Sequence, residues 1–583
     1  MPNASKKAKM KGVESEDFMG FKDYTYTRPD YEALKIELRD LTEKLAQATS
    51  GQEAVAVAKE ITAINFSIDS QGTLWSIRHS IDMNDDFYNE ETKFWNEYSP
   101  LFQELTTDYY KVVLASPYRE ELAEFLPETF FLMAENKLAT FSSEAIPLFQ
   151  KENDLVDRYN NLMATAKIEF RGETYNLAQM GPFGQSTDRT TRKEASEAVT
   201  QFFVQNEEAF DEIYDELVKV RHEIATSLGF KDYVEYGYKM MNRFDYDREM
   251  VATYRGEILK HVVPIVEELH HRQAKRIGLD SLKHYDLGLE YLDGNATPKG
   301  TPDELVAKAQ TMYRELSPET GDFFDYMIDN DLLDLVAKEG KNTGGYCTYI
   351  PDYKSPFIFA NFNGTSGDID VLTHEAGHAF QVYNSRWVET PEAIWPTYET
   401  CEIHSMSMEF MTWPWMELFF KEETEKYKFS HLSGALLFLP YGVLVDHYQH
   451  EVYENPNMTP AERKATWRRL EKLYLPGKDY SESEALDNGI FWYRQGHIFA
   501  APFYYIDYTL AQVCALQFWK RTQIDHDVTA WADYLRICQM GGTGTFLQVV
   551  EAAGIKSPFQ EGALSETLFE TKKWLDAVDD SQF

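Results

Sequence analysis

Apolar residues at helical spacing run through most of this chain. In "YEALKIELRDLTEKLA" the residues Leu34, Leu38, Leu41 and Leu45 share one face, which predicts an amphipathic helix packed on that side. Helical patterns continue to about residue 165, and "FDEIYDELVKVRHEIATSLGF" predicts a further helix stopped at Gly229. The period changes in two places. "AKIEFRGETYNL" alternates around Gly172 and predicts a β-hairpin, and "TGGYCTYIPDYKSPFIFANFNGTS", residues 343–366, predicts short strands and turns. Residues 275–302 read as loop. After residue 395 helices return, broken by Gly541, Gly542 and Gly544. The pattern predicts a mainly α protein with a lobe boundary near residue 180, dividing an N-terminal helical lobe (1–180) from a larger lobe (181–583).

Composition narrows the partners. The formal net charge is -39, so phosphate backbones and anionic lipid surfaces are repelled, and neither nucleic acid nor membrane is expected. Cys347, Cys401, Cys514 and Cys538 form no Cys-x-x-Cys pair, which argues against a zinc ribbon and suits a reducing, cytoplasmic setting. The first residues read as disordered and carry no apolar run of the secretory type. "GALLFLPYGVLV", 434–445, is too short to cross a bilayer and contains Pro440.

Chemistry concentrates directly after the strand-like segment, in "SGDIDVLTHEAGHAFQVYNSRW". Ser and Asp at its start and the absence of proline predict a helix. His374 and His378 then lie one turn apart on one face, with Glu375 offset by about 100°. Leu372, Ala376, Ala379 and Tyr383 form the opposite, apolar side, and Gly377 lets a neighbouring element come close. Two neutral imidazoles at this spacing supply two zinc ligands without bending the backbone, and the glutamate between them can reach a bound water. Two core histidines that happen to fall in phase are the plainer alternative.

A third ligand is expected from "WPTYETCEIHSMSMEF", a helix beginning after Pro396. Spacing leaves both Glu399 and Glu402 open, Glu409 lies two turns beyond Glu402 on the same face, and His404 points elsewhere. His447 and His450 also sit on a helix, but beside Tyr448 and Tyr453 they read as packing residues rather than a second metal site.

"HEAGH" followed by "ETCEIHSMSMEF" resembles the oligoendopeptidase F and thimet oligopeptidase family of zinc metallopeptidases. The resemblance covers most of the chain from about residue 165, including "DRTTRKEA" and "RHEIATSLGF". It implies a two-lobed helical fold around a deep channel, with a small β-sheet beside the metal. The family's Glu-x-x-Ser-x-x-x-Glu pattern falls on Glu402, Ser405 and Glu409. It makes Glu402 the third ligand of one Zn²⁺ per chain and assigns Glu399 and Glu409 to orienting the histidines.

"YRQGHIFAAPFYYIDYTLAQ" matches the family's histidine and tyrosines aimed at the scissile carbonyl, here His497, Tyr505 and Tyr508, with Tyr504 an alternative to Tyr505. Ala501 stands near a position where the thimet branch carries a tyrosine. The implied activity is endopeptidase cleavage of short oligopeptides, with Glu375 as general base. Gly344, Gly345 and Tyr346 are expected to hold an extended substrate backbone at a strand edge. Two rivals remain. In a zinc carboxypeptidase, Arg494 would grip a terminal carboxylate. A non-catalytic scaffold would close its zinc with four protein ligands, Cys401 among them.

Overall fold

The computed structural model describes residues 19–338, 340–342 and 344–583. The expected disordered start lies outside these residues. The leucine pattern at the start of the described chain forms the helix Tyr31–Ala46, capped by Asp30, with Leu38, Leu41 and Leu45 buried. It packs with Gly51–Ile81, Asp86–Ala115 and Glu128–Ala139 around a core of its own, drawn from residues 31–134. A larger core takes residues from Tyr24 to Leu575, and it includes Tyr159, Ile168 and Phe170 from the segment before residue 180.

The fold is mainly helical, and its strands make only small sheets. Ile168–Phe170 and Glu173–Tyr175 form the expected hairpin. Arg171 and Gly172 both have positive φ, the geometry that matches a tight two-residue turn to the twist of its strands. Leu333–Val336, Tyr346–Ile350 and Ser355–Phe362 build a three-stranded sheet. Ser355–Phe362 is its central strand, parallel to Leu333–Val336 and antiparallel to Tyr346–Ile350, with Tyr346 opposite Phe359. Tyr346–Ile350 is therefore an edge strand, and it packs with Ser355–Phe362 against the helix that follows.

That helix, Gly367–Asn384, carries the paired histidines. Its N-terminal turn is tied by Asp368, which accepts from the amides of Asn363 (2.9 Å) and Gly364 (2.8 Å), rather than by Ser366. Leu372, Ala376 and Ala379 are fully buried on its inner side. It packs against Tyr398–Met411, which in turn packs against Tyr505–Trp519.

The run at 434–445 lies inside Thr424–Glu454, a helix of 31 residues that continues through Pro440. By length and composition the stretch Tyr398–Glu454 is long and apolar enough to cross a membrane. Its apolar window is 67% buried inside the protein, which is how a core helix passes the same test.

Candidate active site

Gly377 decides how closely the two principal helices approach. A Cβ placed there would lie 2.6 Å from Ser405 Cα and 2.7 Å from the His404 carbonyl oxygen. Real side chains do not tolerate such distances, so only glycine lets Tyr398–Met411 lie directly against the histidine helix. This contact brings the Glu402 carboxylate to 3.2 Å from His374 Nε2 and 3.6 Å from His378 Nε2. One donor atom from each of His374, His378 and Glu402 lies within 4.8 Å of the others. The histidine rings stand 5.0 Å apart at 83°.

The electrostatics of these groups suit a cation. Burial works against the charge on Glu402, but His374, His378 and a 3.0 Å hydrogen bond from Ser405 outweigh it, and the carboxyl lies at about 2. His378 is pushed by burial to about 4, which leaves a neutral ring with a lone pair. Burial opposes charge on His374 as well, yet Glu402 and Glu409 raise its pKa well above the ordinary value. The pocket thus draws positive charge to the space among these groups, and two imidazoles with one carboxylate form a donor set proper to catalytic zinc.

Glu409 reaches the cluster through His374. Its Oε1 accepts from His374 Nδ1 at 2.7 Å, which turns the Nε2 lone pair toward Glu402 and His378. Its Oε2 accepts from His431 Nε2 at 2.7 Å. Trp413 Nε1 donates to His431 Nδ1 at 3.0 Å. An indole N–H only donates, so His431 carries its proton on Nε2. His431 escaped sequence reading because it has no motif; it comes from Thr424–Glu454, and only packing brings it to Glu409.

Glu399 lies elsewhere. It contacts neither ligand histidine, and both carboxylate oxygens are buried without a hydrogen-bond partner. Burial and nearby Asp507 raise it to about 8 against the pull of Arg243. His404 is fully buried on the same helix and stands outside the donor cluster. His447 bonds Tyr474, and His450 bonds Tyr238, so these two histidines are occupied in packing.

Two cavities flank the cluster. One, of about 560 Å³, is lined by Gly345, Tyr346, Glu375, Trp395, Tyr398 and Gly542, among others. The second, of about 600 Å³, is lined by Asp370, His431, Phe438, His497 and Tyr505. His374 and Tyr508 line both, so the two spaces meet at the cluster. Glu375 is held chiefly by burial at a pKa raised to about 7.

The tyrosine segment splits between the two sides. Tyr504 OH lies 3.5 Å from Glu402 Oε1, nearer the cluster than Tyr505, which packs with Phe438 and Tyr441 beside His497. Gln495 was missed from sequence. Tyr441 donates to its Oε1 at 2.7 Å, and its Nε2 donates to His497 Nδ1 at 3.0 Å. This order places the His497 proton on Nε2 and makes that nitrogen a donor. Burial lowers the His497 pKa, which keeps the ring neutral.

Gly345 lies over the histidine helix, where a Cβ would be 3.3 Å from Val371 Cγ1 and 3.8 Å from Glu375 Oε1. Gly344 precedes it with φ +88°, and its carbonyl accepts from Asn361 Nδ2 at 2.8 Å. The Tyr346 ring stacks on Phe359 at 4.8 Å. Arg494 lines neither cavity; its guanidinium lies over the rings of Phe491 and Phe203.

The peptidase family M3 profile matches residues 183–568, and that of the peptidase M3 N-terminal domain matches 21–141. The solved structure of PZ peptidase A with an inhibitor is 52% identical, covers 96% of this chain and 100% of its own, and superposes with a TM-score of 0.89. A protein assigned as an oligoendopeptidase F from Bacillus anthracis str. Ames is 54% identical over 97% of this chain and 99% of its own, with a TM-score of 0.86. The chromosomal oligoendopeptidase F of Lactococcus lactis subsp. cremoris is 24% identical over 64% of this chain. The chain spans 49% and 61% of the length of the curated relatives it matches. A profile match across well over half of the chain, joined to structures about half identical over nearly all of it, places this protein in peptidase family M3.

Proposed function

We propose that this protein is a zinc-dependent endopeptidase that cuts internal bonds of short oligopeptides. The observation that carries the reading is the cluster of His374, His378 and Glu402 at the meeting point of two open cavities, with Glu375 on the wall. These three residues would hold the Zn²⁺, which supplies Lewis acidity and eases deprotonation of water. Glu375 takes a proton from the attacking water and returns it to the leaving amine. A pKa raised toward neutrality suits a group that must both accept and give a proton.

His497, through Nε2–H, and Tyr508, through its hydroxyl, donate to the oxygen on which charge develops. Tyr505 packs against His497, with ring centroids 4.9 Å apart, and steadies it. Glu409 fixes His374. Glu399 stands apart from the ligand histidines, near Arg243 and Asp507. Gly344, Gly345 and Tyr346 present the strand edge along which an extended peptide lies. The division into lobes 1–180 and 181–583 puts the first cavity at their junction, where Thr129 of the N-terminal lobe donates to the Gly542 carbonyl at 2.7 Å.

Space on both sides of the cluster favours internal cleavage over trimming, and Arg494, which lines neither cavity, is not placed to grip a terminal carboxylate in either. A structural zinc would need a fourth protein ligand, and Cys401 stands outside the donor cluster. The relatives named above include an oligoendopeptidase F, consistent with oligopeptide substrates. Four free cysteines fit a cytoplasmic location.

The test is mass-spectrometric mapping of the cuts in a ten-residue peptide blocked at both ends, with and without a chelator. Internal cuts that stop with chelator and return with zinc are expected. Trimming of only the unblocked peptide from its C-terminus would establish the carboxypeptidase instead, and zinc binding without any cutting would establish the scaffold.

A further inference from the structure

A third cavity, of about 390 Å³, lies among the N-terminal helices. Leu38, Ile68, Trp95 and Phe102 supply apolar wall, and Asp69, Lys137 and Glu392 supply charge. Glu392 belongs to the short turn Pro391–Ala393 and lines the 560 Å³ catalytic cavity as well. The two spaces therefore share one lining residue.

Asp69 pairs with no cation and accepts no hydrogen bond among the described residues. Its surface opens to the cavity, yet burial, with Glu392 and Asp352 nearby, raises its pKa to about 7. Glu392 accepts from Tyr110 OH at 2.8 Å, which orients the carboxyl. Lys137 does not neutralise the pair: burial alone perturbs it, and no carboxylate answers its charge. With both carboxyls ionised, two acids and one lysine leave the cavity wall one net negative charge.

A metal ion is a poor occupant. Asp69 and Glu392 belong to no close cluster of metal-binding groups, and the apolar walls fit an organic group. We propose that this cavity is a recognition subsite for a positively charged group of the peptide, its free amino terminus or a Lys or Arg side chain, held by Asp69 and Glu392. The inference rests on the endopeptidase reading, because a peptide lying in the catalytic cavity reaches Glu392 from that side.

The test is equilibrium binding of C-terminally labelled peptides to zinc-loaded Glu375→Gln protein, followed by fluorescence anisotropy. One pair differs only in acetylation of the amino terminus and lacks Lys and Arg; a second, acetylated series compares Lys with Gln at successive positions. The charged member of at least one pair is expected to bind about tenfold more tightly, the equivalent of one good charged contact. The pair that shows the difference identifies the source of the charge. Adding Asp69→Asn, or separately Glu392→Gln, should bring the charged peptide to the affinity of its neutral twin. Equal binding in every pair, or a preference that survives both substitutions, would overturn the proposal. Binding is read without turnover, so the subsite and the peptidase reading stand or fall separately.

Discussion

Glu409 accepts a hydrogen bond from His431 at 2.7 Å, and the same carboxylate holds His374 at 2.7 Å. Trp413 fixes the far side of the His431 ring. The orientation of an imidazole of the cluster is thus set three side chains away from it. His431→Phe keeps the ring's bulk and removes both hydrogen bonds. Zinc affinity, measured by chelator competition, should fall about 10- to 100-fold, the usual cost of losing a partner behind a ligand. The melting temperature of the metal-free protein serves as the control for folding. Unchanged affinity would mean that Glu409 is held without His431.

Glu375→Gln removes the base and keeps the shape. Zinc content should stay at one per chain, while kcat falls by about 10²- to 10⁴-fold, the range for a positioned acid–base group. A nearly active variant would rule out Glu375 as the base.

Tyr508→Phe tests the donor at the junction of the two cavities. A hydroxyl that engages only the developing oxyanion should cost about 10²- to 10³-fold in kcat with little change in KM. A rise in KM at constant kcat would instead make Tyr508 a substrate-binding residue.

Gly377→Ala inserts a methyl where Ser405 Cα and the His404 carbonyl already stand. Backbone cannot swing aside as a side chain can, so the two helices must separate. The expected cost is about 1–3 kcal/mol, with loss of zinc because Glu402 moves with its helix. Thermal unfolding and metal analysis measure the two effects together.

Glu399 predicts a pH dependence of stability. Burial and Asp507 raise its pKa in the folded state to about 8, above the ordinary carboxyl value expected on unfolding. The folded state therefore binds the proton more tightly. The stability from this group is full below the unfolded pKa and is lost as pH rises toward 8. Glu399→Gln removes that loss. Its stabilisation over wild type should grow between pH 5 and pH 8, by a difference on the order of a few kcal/mol. Melting curves at the two pH values measure it, and an equal effect at both would exclude the ionisation.

Much of the site was legible in the sequence because its parts are local. His374 and His378 follow from the period of one helix, and that helix is fixed by its apolar stripe and its strand-rich approach. Gly377 signalled a close neighbour for a steric reason that needs no coordinates. The choice between Glu399 and Glu402 was different. Both are buried glutamates on one helix, three residues apart, and periodicity treats them alike; the family pattern favoured Glu402. The packing of Tyr398–Met411 turns Glu402 to the histidines and Glu399 toward Arg243 and Asp507.

His431, Gln495 and Glu392 carried no sequence signal at all. Each acts through a partner remote in the chain or through a shared cavity wall, and such relations arise only when separate helices meet. The sequence by itself determined the helices, the hairpin, the strand-like approach and the paired histidines, because these depend on spacing along one segment. Tertiary structure decided which carboxylate meets the imidazoles, what orients them, and that two cavities meet there, because hydrogen bonds and voids depend on distances between segments that no local pattern encodes.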